Sequence, residues 1–321
     1  MHKSETIKKI DPSIFDFTDI EFDSLSEVEL TTDLGELIMK NQTNETFDEL
    51  LKRNPYKTGN LFVLSRIRLM LHDNGILNLI NTYKGTIDNS YLVRMEILLN
   101  KAGFIHLEVK KASSPLIIRA IRRPVETEDL GYGLILKEII RPDEILLCHQ
   151  FAKDYYYYKD FNYDMDVVKQ FDLNCDHYAV YDENGEIYSM SRIITRTPGH
   201  CCPFMYATIA GETGNKHITI PGEDKRIGEI MAIYSAGKKG VVAFKRMMEY
   251  GATIVQFDSL WTTYDDADEY TGMYYKNKFI MEDTGIKLIY SDFGGTWNLL
   301  VTDRIAELKD RHNQIFKQKK E

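Results

Sequence analysis

Apolar residues recur at helical spacing in two segments of the first third of the chain, 61–72 and 89–102. The turn Asp73-Asn74-Gly75 follows the first of these segments. Three shorter apolar runs have the composition of β-strands: 76–81, 104–110 and 115–122. The pattern therefore predicts an α/β region that ends near residue 124.

The rest of the chain follows a different order. An acidic, glycine-containing linker is predicted at 124–133, and an amphipathic helix begins at Pro142. The Asp-Glu-Asn-Gly sequence at 182–185 lies between two β-rich runs and is a strong hairpin signal. The later elements are a strand at 228–234, a helix at 241–250, a strand at 253–258, a helix that ends at 273–279, and strands at 287–293 and 297–302. This order predicts a mixed, mostly antiparallel sheet flanked by helices.

The first region, from the helix at 61–72 through the strand pair that ends at 122, resembles the C-terminal half of a class I S-adenosylmethionine-dependent methyltransferase. No glycine-rich loop follows a first strand upstream, and no acidic strand end is available to bind a ribose. The resemblance therefore implies a partial methyltransferase-like region over 1–124 without catalytic function, which serves as a scaffold or an interface.

The segment from Gly228 to Tyr250 combines a strand, a glycine-basic turn and a helix. The free N–H groups and the positive dipole end of a helix N-terminus attract phosphate. Lys238 and Lys239 add positive charge at this point, and Gly240 allows the backbone to approach a diphosphate closely. A basic helix start without a ligand is the alternative, although cations are unfavourable at a positive helix end.

This order of elements, together with Tyr274-x-Lys276-x-x-Phe279, resembles the acyl-CoA-binding core of the GNAT N-acyltransferase superfamily. The resemblance implies a GNAT-like acyltransferase domain over 125–321. It also implies that Lys238, Lys239, Gly240 and Val241 bind the diphosphate of an acyl-CoA. The chain departs from the usual motif in the turn that ends at Val242 and at Lys278, where the family carries glycine before the closing phenylalanine.

Three local features resemble one branch of this superfamily, the N-acyl amino acid synthases and acyl-homoserine lactone synthases: the sequence at 174–182, Ser191 to Thr195, and the run from Ile220 to Ile230. In that branch, an acidic residue and an arginine lie on paired strands, and a glutamate opens the next strand. The resemblance implies Asp176 and Arg192 as substrate-binding residues. A cross-strand salt bridge between the two side chains is the alternative.

Amide formation from a thioester requires a neutral amine, stabilisation of an oxyanion, and a proton for the departing thiolate. Glu229 is the candidate general base, directly or through water, and a solvent-facing carboxylate at the end of a strand is the alternative. Ile233, Tyr234 and Ser235 would supply backbone N–H groups to the thioester carbonyl. Tyr274 falls on the tyrosine that protonates the thiolate in the family, although this chain has 20 tyrosines and packing alone is the alternative.

Histidine and cysteine are common metal ligands, and they occur at His200, Cys201, Cys202 and His217. Adjacent cysteines lack the spacing of a chelating Cys-x-x-Cys pair. Buried reduced thiols are therefore expected, and no metal is predicted. The pair Cys175 and His177 is expected to share a strand face without the contact geometry of a catalytic couple.

The chain has 321 residues, 43% hydrophobic content and a net charge of −9, which favours a soluble protein of two domains and disfavours nonspecific nucleic-acid binding. No apolar run is long enough to span a membrane, and no signal peptide is recognised, so a cytoplasmic location is expected. The expected donor is an acyl-CoA or an acyl-carrier protein, and the expected acceptor is a small-molecule amine. A homodimer is an open alternative.

These features predict an N-acyltransferase that moves an acyl group from a thioester to a primary amine, such as that of an amino acid. A noncatalytic protein that binds an acyl thioester or a partner through a degenerate GNAT fold is the alternative. Thioester chemistry without an amine acceptor, such as decarboxylation, also stays open.

Overall fold

The computed structural model describes residues 7–12, 15, 20–34, 60–110, 115–157, 169–198, 200–213, 216–220, 222, 224–235, 257–290, 295–308 and 310. For 155–157 and 231–235 only the backbone is described. The chain divides into two compact units, 1–125 with 197–200, and 126–196 with 201–321. Each unit is built around its own sheet.

The first unit contains a five-stranded sheet in the order β1-β2-β3-β5-β4. Strands β1, β2 and β3 are parallel, whereas β5 runs antiparallel to both β3 and β4. The elements of this unit are β1 (Lys8–Ile10), β2 (Leu25–Thr32), α1 (Asn60–Met70), β3 (Leu71–Asn81), α2 (Asn89–Lys101), β4 (Phe104–Lys110) and β5 (Leu116–Arg122). The resemblance of this unit to half of a methyltransferase stays a prediction.

The start of β3 differs from the sequence-based expectation. Asp73-Asn74-Gly75 was predicted as a turn before the strand, but β3 begins at Leu71, directly after α1. The residues predicted as a turn form an irregular segment inside β3. Leu25 pairs with Leu71 and Glu27 pairs with Ile76, so the intervening residues bulge out of the ladder. Asn74 adopts a positive φ of 63°, which asparagine tolerates better than most residues.

The second unit contains a nine-stranded sheet in the order β10-β13-β14-β12-β11-β9-β8-β7-β6. All neighbouring strands are antiparallel except β11 and β12, which are parallel. The strands are β6 (Thr127–Gly131), β7 (Leu134–Ile139), β8 (Cys175–Asp182), β9 (Ile187–Thr195), β10 (Thr208–Ile209), β11 (Ile227–Ser235), β12 (Ser259–Asp265), β13 (Glu282–Ile289) and β14 (Trp297–Thr302). Two helices of this unit are α3 (Pro142–Tyr157) and α4 (Glu269–Lys278). The mixed, mostly antiparallel sheet flanked by helices confirms the predicted fold class.

One predicted element of this unit is wrong, one lies mostly outside the described residues, and one is confirmed. The linker expected at 124–133 contains β6, which forms a hairpin with β7. Of the strand expected at 253–258, residues 253–256 lie outside the described residues, Phe257 and Asp258 are not in a strand, and β12 begins at Ser259. The hairpin between β8 and β9 is confirmed: Asp182 Oδ1 accepts a hydrogen bond from the Asn184 N–H at 2.9 Å, and Gly185 adopts φ 82°.

The two faces of the large sheet are covered by different helices. Helix α3 packs through Cys148 and Ala152 on Ala179 and Met190. Helix α4 packs through Tyr275 and Phe279 on the cluster that includes Ile193, Ile230, Leu260 and Leu300. Because side chains alternate along a strand, Ile230 and its neighbour Glu229 point to opposite faces. We refer to them below as the Ile230 face and the Glu229 face.

Gly228 in β11 has no room for a side chain. A Cβ atom at this position would lie 2.6 Å from Phe257 Cζ, and the Phe257 ring is buried. We therefore expect Gly228→Ala to lower the free energy of unfolding by about 1–3 kcal/mol, because the ring must shift within a packed core. Urea unfolding measures the effect. The Gly228→Ala/Phe257→Leu double variant should recover part of the loss, and an unchanged urea midpoint in Gly228→Ala would show that the ring moves freely.

Candidate active site

The candidate site is centred where β11 and β12 separate. Their parallel ladder ends at Ile230 and Thr262, although β11 continues to Ser235 and β12 continues to Asp265. Thr262 Oγ1 donates a hydrogen bond to the Ile230 carbonyl oxygen at 2.9 Å, which satisfies a buried acceptor at the end of the ladder. Beyond this point, the two strands form an opening in the sheet.

A β-bulge lies at the start of this opening. Met231 is opposite Arg192 and Ile233 is opposite Ser191, so Ala232 is an additional residue in β11. A bulge redirects the strand and increases its local twist. Ile233, Tyr234 and Ser235 lie just after it and pair with β9 on one side only. Their role in polarising a thioester carbonyl stays a prediction.

Glu229 lies two residues before the bulge and is almost completely buried, with 1% of its surface exposed. In the parallel register it is opposite Trp261, which places both side chains on the Glu229 face. Glu229 Oε2 accepts a hydrogen bond from the Phe204 N–H at 3.0 Å. Burial raises the pKa of the Glu229 carboxyl to about 8, and the Phe204 hydrogen bond opposes this rise in part. The group therefore changes its charge near physiological pH.

Residues distant in sequence surround the Glu229 carboxyl. The ring of Phe204 stacks on that of Trp261, with centroids 5.1 Å apart and an angle of 16° between the planes. Burial, followed by the charge of Glu229, raises the pKa of both the Cys202 thiol and the Tyr290 phenol well above their ordinary values. Both groups are neutral at physiological pH, so Tyr290 can act as a hydrogen-bond donor or a proton source.

The functional potential of Phe204 and Tyr290 was missed from the sequence. Phe204 lies in the short 3₁₀ helix Pro203–Met205, and Tyr290 directly follows β13. Neither position has a motif or a periodic pattern. The Pro203 that opens the 3₁₀ turn was the one local signal available, because proline favours the first helical position.

Tyr274 is separated from Glu229 by the sheet. It lies on α4 and packs against the cluster on the Ile230 face. Its ring centroid is 6.2 Å from those of both Tyr275 and Phe279. Lys276 of the same motif donates a hydrogen bond to Asp283 Oδ2 at 2.8 Å. The structure therefore does not place Tyr274 beside Glu229, and a substrate that passes between β11 and β12 would be required to reach both side chains.

The strand register does not place Asp176 directly opposite Arg192, as the cross-strand salt bridge considered as an alternative would require. Asp176 is opposite Ile193, whereas Arg192 is opposite His177. The register therefore places Asp176 on the Ile230 face and Arg192, which is fully buried, on the Glu229 face. The role of Asp176 and Arg192 as substrate-binding residues stays a prediction, and the register means that the two side chains would contact a substrate from opposite faces of the sheet.

The predicted diphosphate residues Lys238, Lys239, Gly240 and Val241 lie outside the described residues. The cysteines considered for a metal site, Cys201 and Cys202, are present as thiols, and Cys202 is fully buried. His217 Nδ1 lies 3.1 Å from the Ala207 carbonyl oxygen, within hydrogen-bonding distance. Among the described residues, the metal-ligand side chains that converge are different ones: His149, Asp172 and His177.

Comparisons with known proteins give structural likenesses at low sequence identity. No protein family model matches the chain, and no curated protein matches it. An N-acyl amino acid synthase from uncultured soil microbes, FeeM, is 10% identical, with a TM-score of 0.41, over 55% of this chain and 91% of that one. Mutant forms of the spermidine/spermine N-acetyltransferase SpeG of Vibrio cholerae are 12% identical, with a TM-score of 0.36, over 57% and 98%.

A spermidine N-acetyltransferase from Vibrio cholerae in complex with CoA and spermine is 10% identical, with a TM-score of 0.34. It covers 54% of this chain and 96% of that one. Within the part of the chain that the structure describes, no helix is both long and apolar enough to span a membrane.

Proposed function

We propose that the second unit is an N-acyltransferase, which moves an acyl group from an acyl-CoA or acyl-carrier-protein thioester to a primary amine. The observation that supports this best is the position of Glu229. It is a buried carboxyl with a pKa raised to about 8, next to the opening between β11 and β12. An ionisable group with a strongly shifted pKa at an opening in a sheet is typical of a catalytic site.

In the proposed reaction, the amine nitrogen attacks the thioester carbonyl carbon. Glu229 in its ionised form accepts a proton from the amine nitrogen, directly or through water. The C–N bond forms and the C–S bond breaks. The thiolate takes a proton from the Tyr274 phenol, and the products are an amide and a free thiol. Backbone N–H groups of Ile233 to Ser235 stabilise the negative charge on the carbonyl oxygen.

The raised pKa of Glu229 suggests the class of amine. A general base works best when its pKa is close to that of the group it deprotonates and to the working pH. An α-amino group has an ordinary pKa of about 7.7–8.0, and a lysine-type amine has one of about 10.4. A carboxyl with a pKa of about 8 is therefore better matched to an α-amine, such as that of an amino acid.

An amino-acid acceptor also carries a carboxylate, which requires a positively charged partner in the site. Of the two residues that sequence reasoning assigned to the acceptor, Arg192 lies on the Glu229 face and Asp176 lies on the opposite one. We therefore assign the acceptor role to Arg192 and keep Asp176 out of this subsite. The donor thioester would be held at its diphosphate by Lys238, Lys239, Gly240 and Val241, and the first unit would act as a scaffold without methyl transfer.

Ligand-dependent thermal stabilisation tests this function. A ligand of the folded state raises the melting temperature, and a concentration of 100 times Kd adds about 2.7 kcal/mol of stability. We expect a shift with acetyl-CoA, a long-chain acyl-CoA or an acyl-carrier protein, and none with S-adenosylmethionine. A shift with S-adenosylmethionine alone would contradict the assignment of both units, and no shift with any thioester would favour a noncatalytic protein.

A further inference from the structure

Three metal-ligand side chains converge beneath α3, on three separate segments of the second unit. His149 comes from α3, Asp172 from the segment before β8, and His177 from β8. Their ligand atoms all lie within 4.8 Å of one another. Both histidines are buried, with 1% of each exposed, so the three groups meet inside the protein and not on its surface.

The distances between these groups fit a shared cation. His149 Nε2 lies 3.0 Å from both oxygens of Asp172, and His177 Nε2 lies 3.2 Å from Asp172 Oδ1. A four-coordinate Zn²⁺ with ligands at about 2.0–2.2 Å holds neighbouring ligand atoms roughly 3.3 Å apart. Two Nε2 atoms and one carboxylate oxygen also form a ligand set that suits zinc and related first-row cations.

The position of the His177 Nε2 atom is a second, independent indication of a bound cation. This atom is fully buried, and it makes no aligned hydrogen bond with any residue in the described ranges, although Asp172 Oδ1 is close. A buried polar atom without a hydrogen bond costs about 1–3 kcal/mol. The two imidazole rings are nearly perpendicular, at 81°, with centroids 5.9 Å apart, and both present Nε2 to the same carboxylate. A cation between the three groups would satisfy His177 Nε2.

The charged groups near these three side chains indicate which kind of fourth ligand a bound cation would have. Arg192 is opposite His177 in the strand register and lies on the same face. Its positive charge disfavours a bare divalent cation, whereas one Asp172 carboxylate offsets only part of the total charge. An anionic fourth ligand would restore the balance. The side chain of Asp172 is 21% exposed, which leaves a route for exchange from solvent.

We propose that His149, Asp172 and His177 bind one Zn²⁺ ion or a similar divalent transition metal, with an exchangeable anion in the fourth position. The site joins α3, the segment before β8, and β8 itself. It therefore stabilises the packing of α3 on the Glu229 face. None of the three ligands takes part in the proposed acyl transfer, so metal binding can be tested separately from that activity, although Arg192 lies near both.

The metal content of untagged full-length protein, purified without chelators, tests this site by elemental mass spectrometry. We expect about one equivalent of metal per chain, loss of metal and a lower melting temperature after dialysis against EDTA, and recovery with added Zn²⁺. Co²⁺ added to the metal-free wild type should give the visible absorption of a four-coordinate site, which needs no variant to fold.

His177→Gln and Asp172→Asn should each weaken Zn²⁺ binding by at least about 10²-fold. His217→Gln is the matched control and should keep the metal, because His217 lies outside the cluster. Wild-type protein without stoichiometric metal and without saturable Zn²⁺ binding would overturn the proposal and leave a hydrogen-bonded cluster. Metal that is retained in both ligand variants would overturn it as well, because it would lie elsewhere.

Discussion

In the Glu229→Gln variant, acyl transfer should fall by about 10²–10⁴-fold, which is the usual contribution of general acid–base catalysis. Glutamine cannot accept a proton from the amine. Its carbonyl oxygen can still accept the hydrogen bond that Glu229 Oε2 receives from Phe204, so the local structure is retained. In wild type, kcat/KM should rise with pH and level off above about 8, as the carboxyl ionises. Steady-state kinetics across pH measure both effects.

Glu229 should also make the stability of the wild type depend on pH. Whereas the activity of the wild type rises with pH, the stability that Glu229 contributes falls. The pKa of Glu229 is about 8 in the folded chain, above its ordinary value of 4.5. Between these two values the unfolded chain binds fewer protons at this position than the folded chain, so stability contributed by Glu229 is lost as pH rises from about 4.5 to about 8. A shift of this size corresponds to roughly 3–5 kcal/mol.

The glutamine in Glu229→Gln does not ionise, so this loss of stability with rising pH is absent in the variant. The difference in unfolding free energy between variant and wild type should therefore increase in favour of the variant from pH 5 to pH 8, and then stay constant. Urea unfolding at several pH values measures this difference, and the contributions of other titrating groups cancel in it. A variant that loses both activity and stability at pH 8 would indicate a structural role for the carboxylate.

The second large effect is expected in Tyr274→Phe, which should lower kcat by about 10²-fold. The ring, and hence its packing against Tyr275 and Phe279, is retained, so the loss reports on the hydroxyl. Affinity for the thioester should change little, because the hydroxyl acts on the leaving thiolate. Rapid-quench or steady-state kinetics with separate determination of Kd distinguish the two quantities.

Two further tyrosines serve as comparisons for this variant. Tyr270 lies on the same helix and is 75% exposed, so Tyr270→Phe should leave kcat unchanged. Tyr290 has a neutral phenol near Glu229, and Tyr290→Phe should lower kcat less than Tyr274→Phe does. If Tyr290→Phe lowered kcat more than Tyr274→Phe did, the proton donor would be Tyr290 and not Tyr274.

Local chemistry explains which parts of the fold could be predicted. The hairpin at 182–185 depends on Asp182 and a glycine with positive φ, both of which are properties of a few adjacent residues. The helices α2 and α3 follow from periodicity and from end signals. The β6 strand was missed because its acidic residues and flanking glycines resemble a linker, and its stability comes from pairing with β7.

The candidate site could be predicted only in part, because its geometry depends on register and on distant segments. Glu229 could be selected from its place at a strand before a glycine-basic turn. Its burial depends on Phe204 and Trp261, which are 25 and 32 residues away along the chain. The opposite orientations of Asp176 and Arg192 follow from the β8–β9 register, which one sequence does not specify. The same holds for His149 and His177, which share no local spacing motif.

Amide formation itself tests the central claim most directly. Wild type and Glu229→Gln would be incubated at pH 8 with acetyl-CoA or a long-chain acyl-CoA and a mixture of amino acids, and N-acylated products would be identified by mass spectrometry. We expect wild type to form N-acyl amino acids and free CoA in equal amounts, and the variant to form at least about 10²-fold less. Equal product formation by both proteins, or no amide from any thioester and amine, would contradict the assignment of Glu229 as the base of an N-acyltransferase.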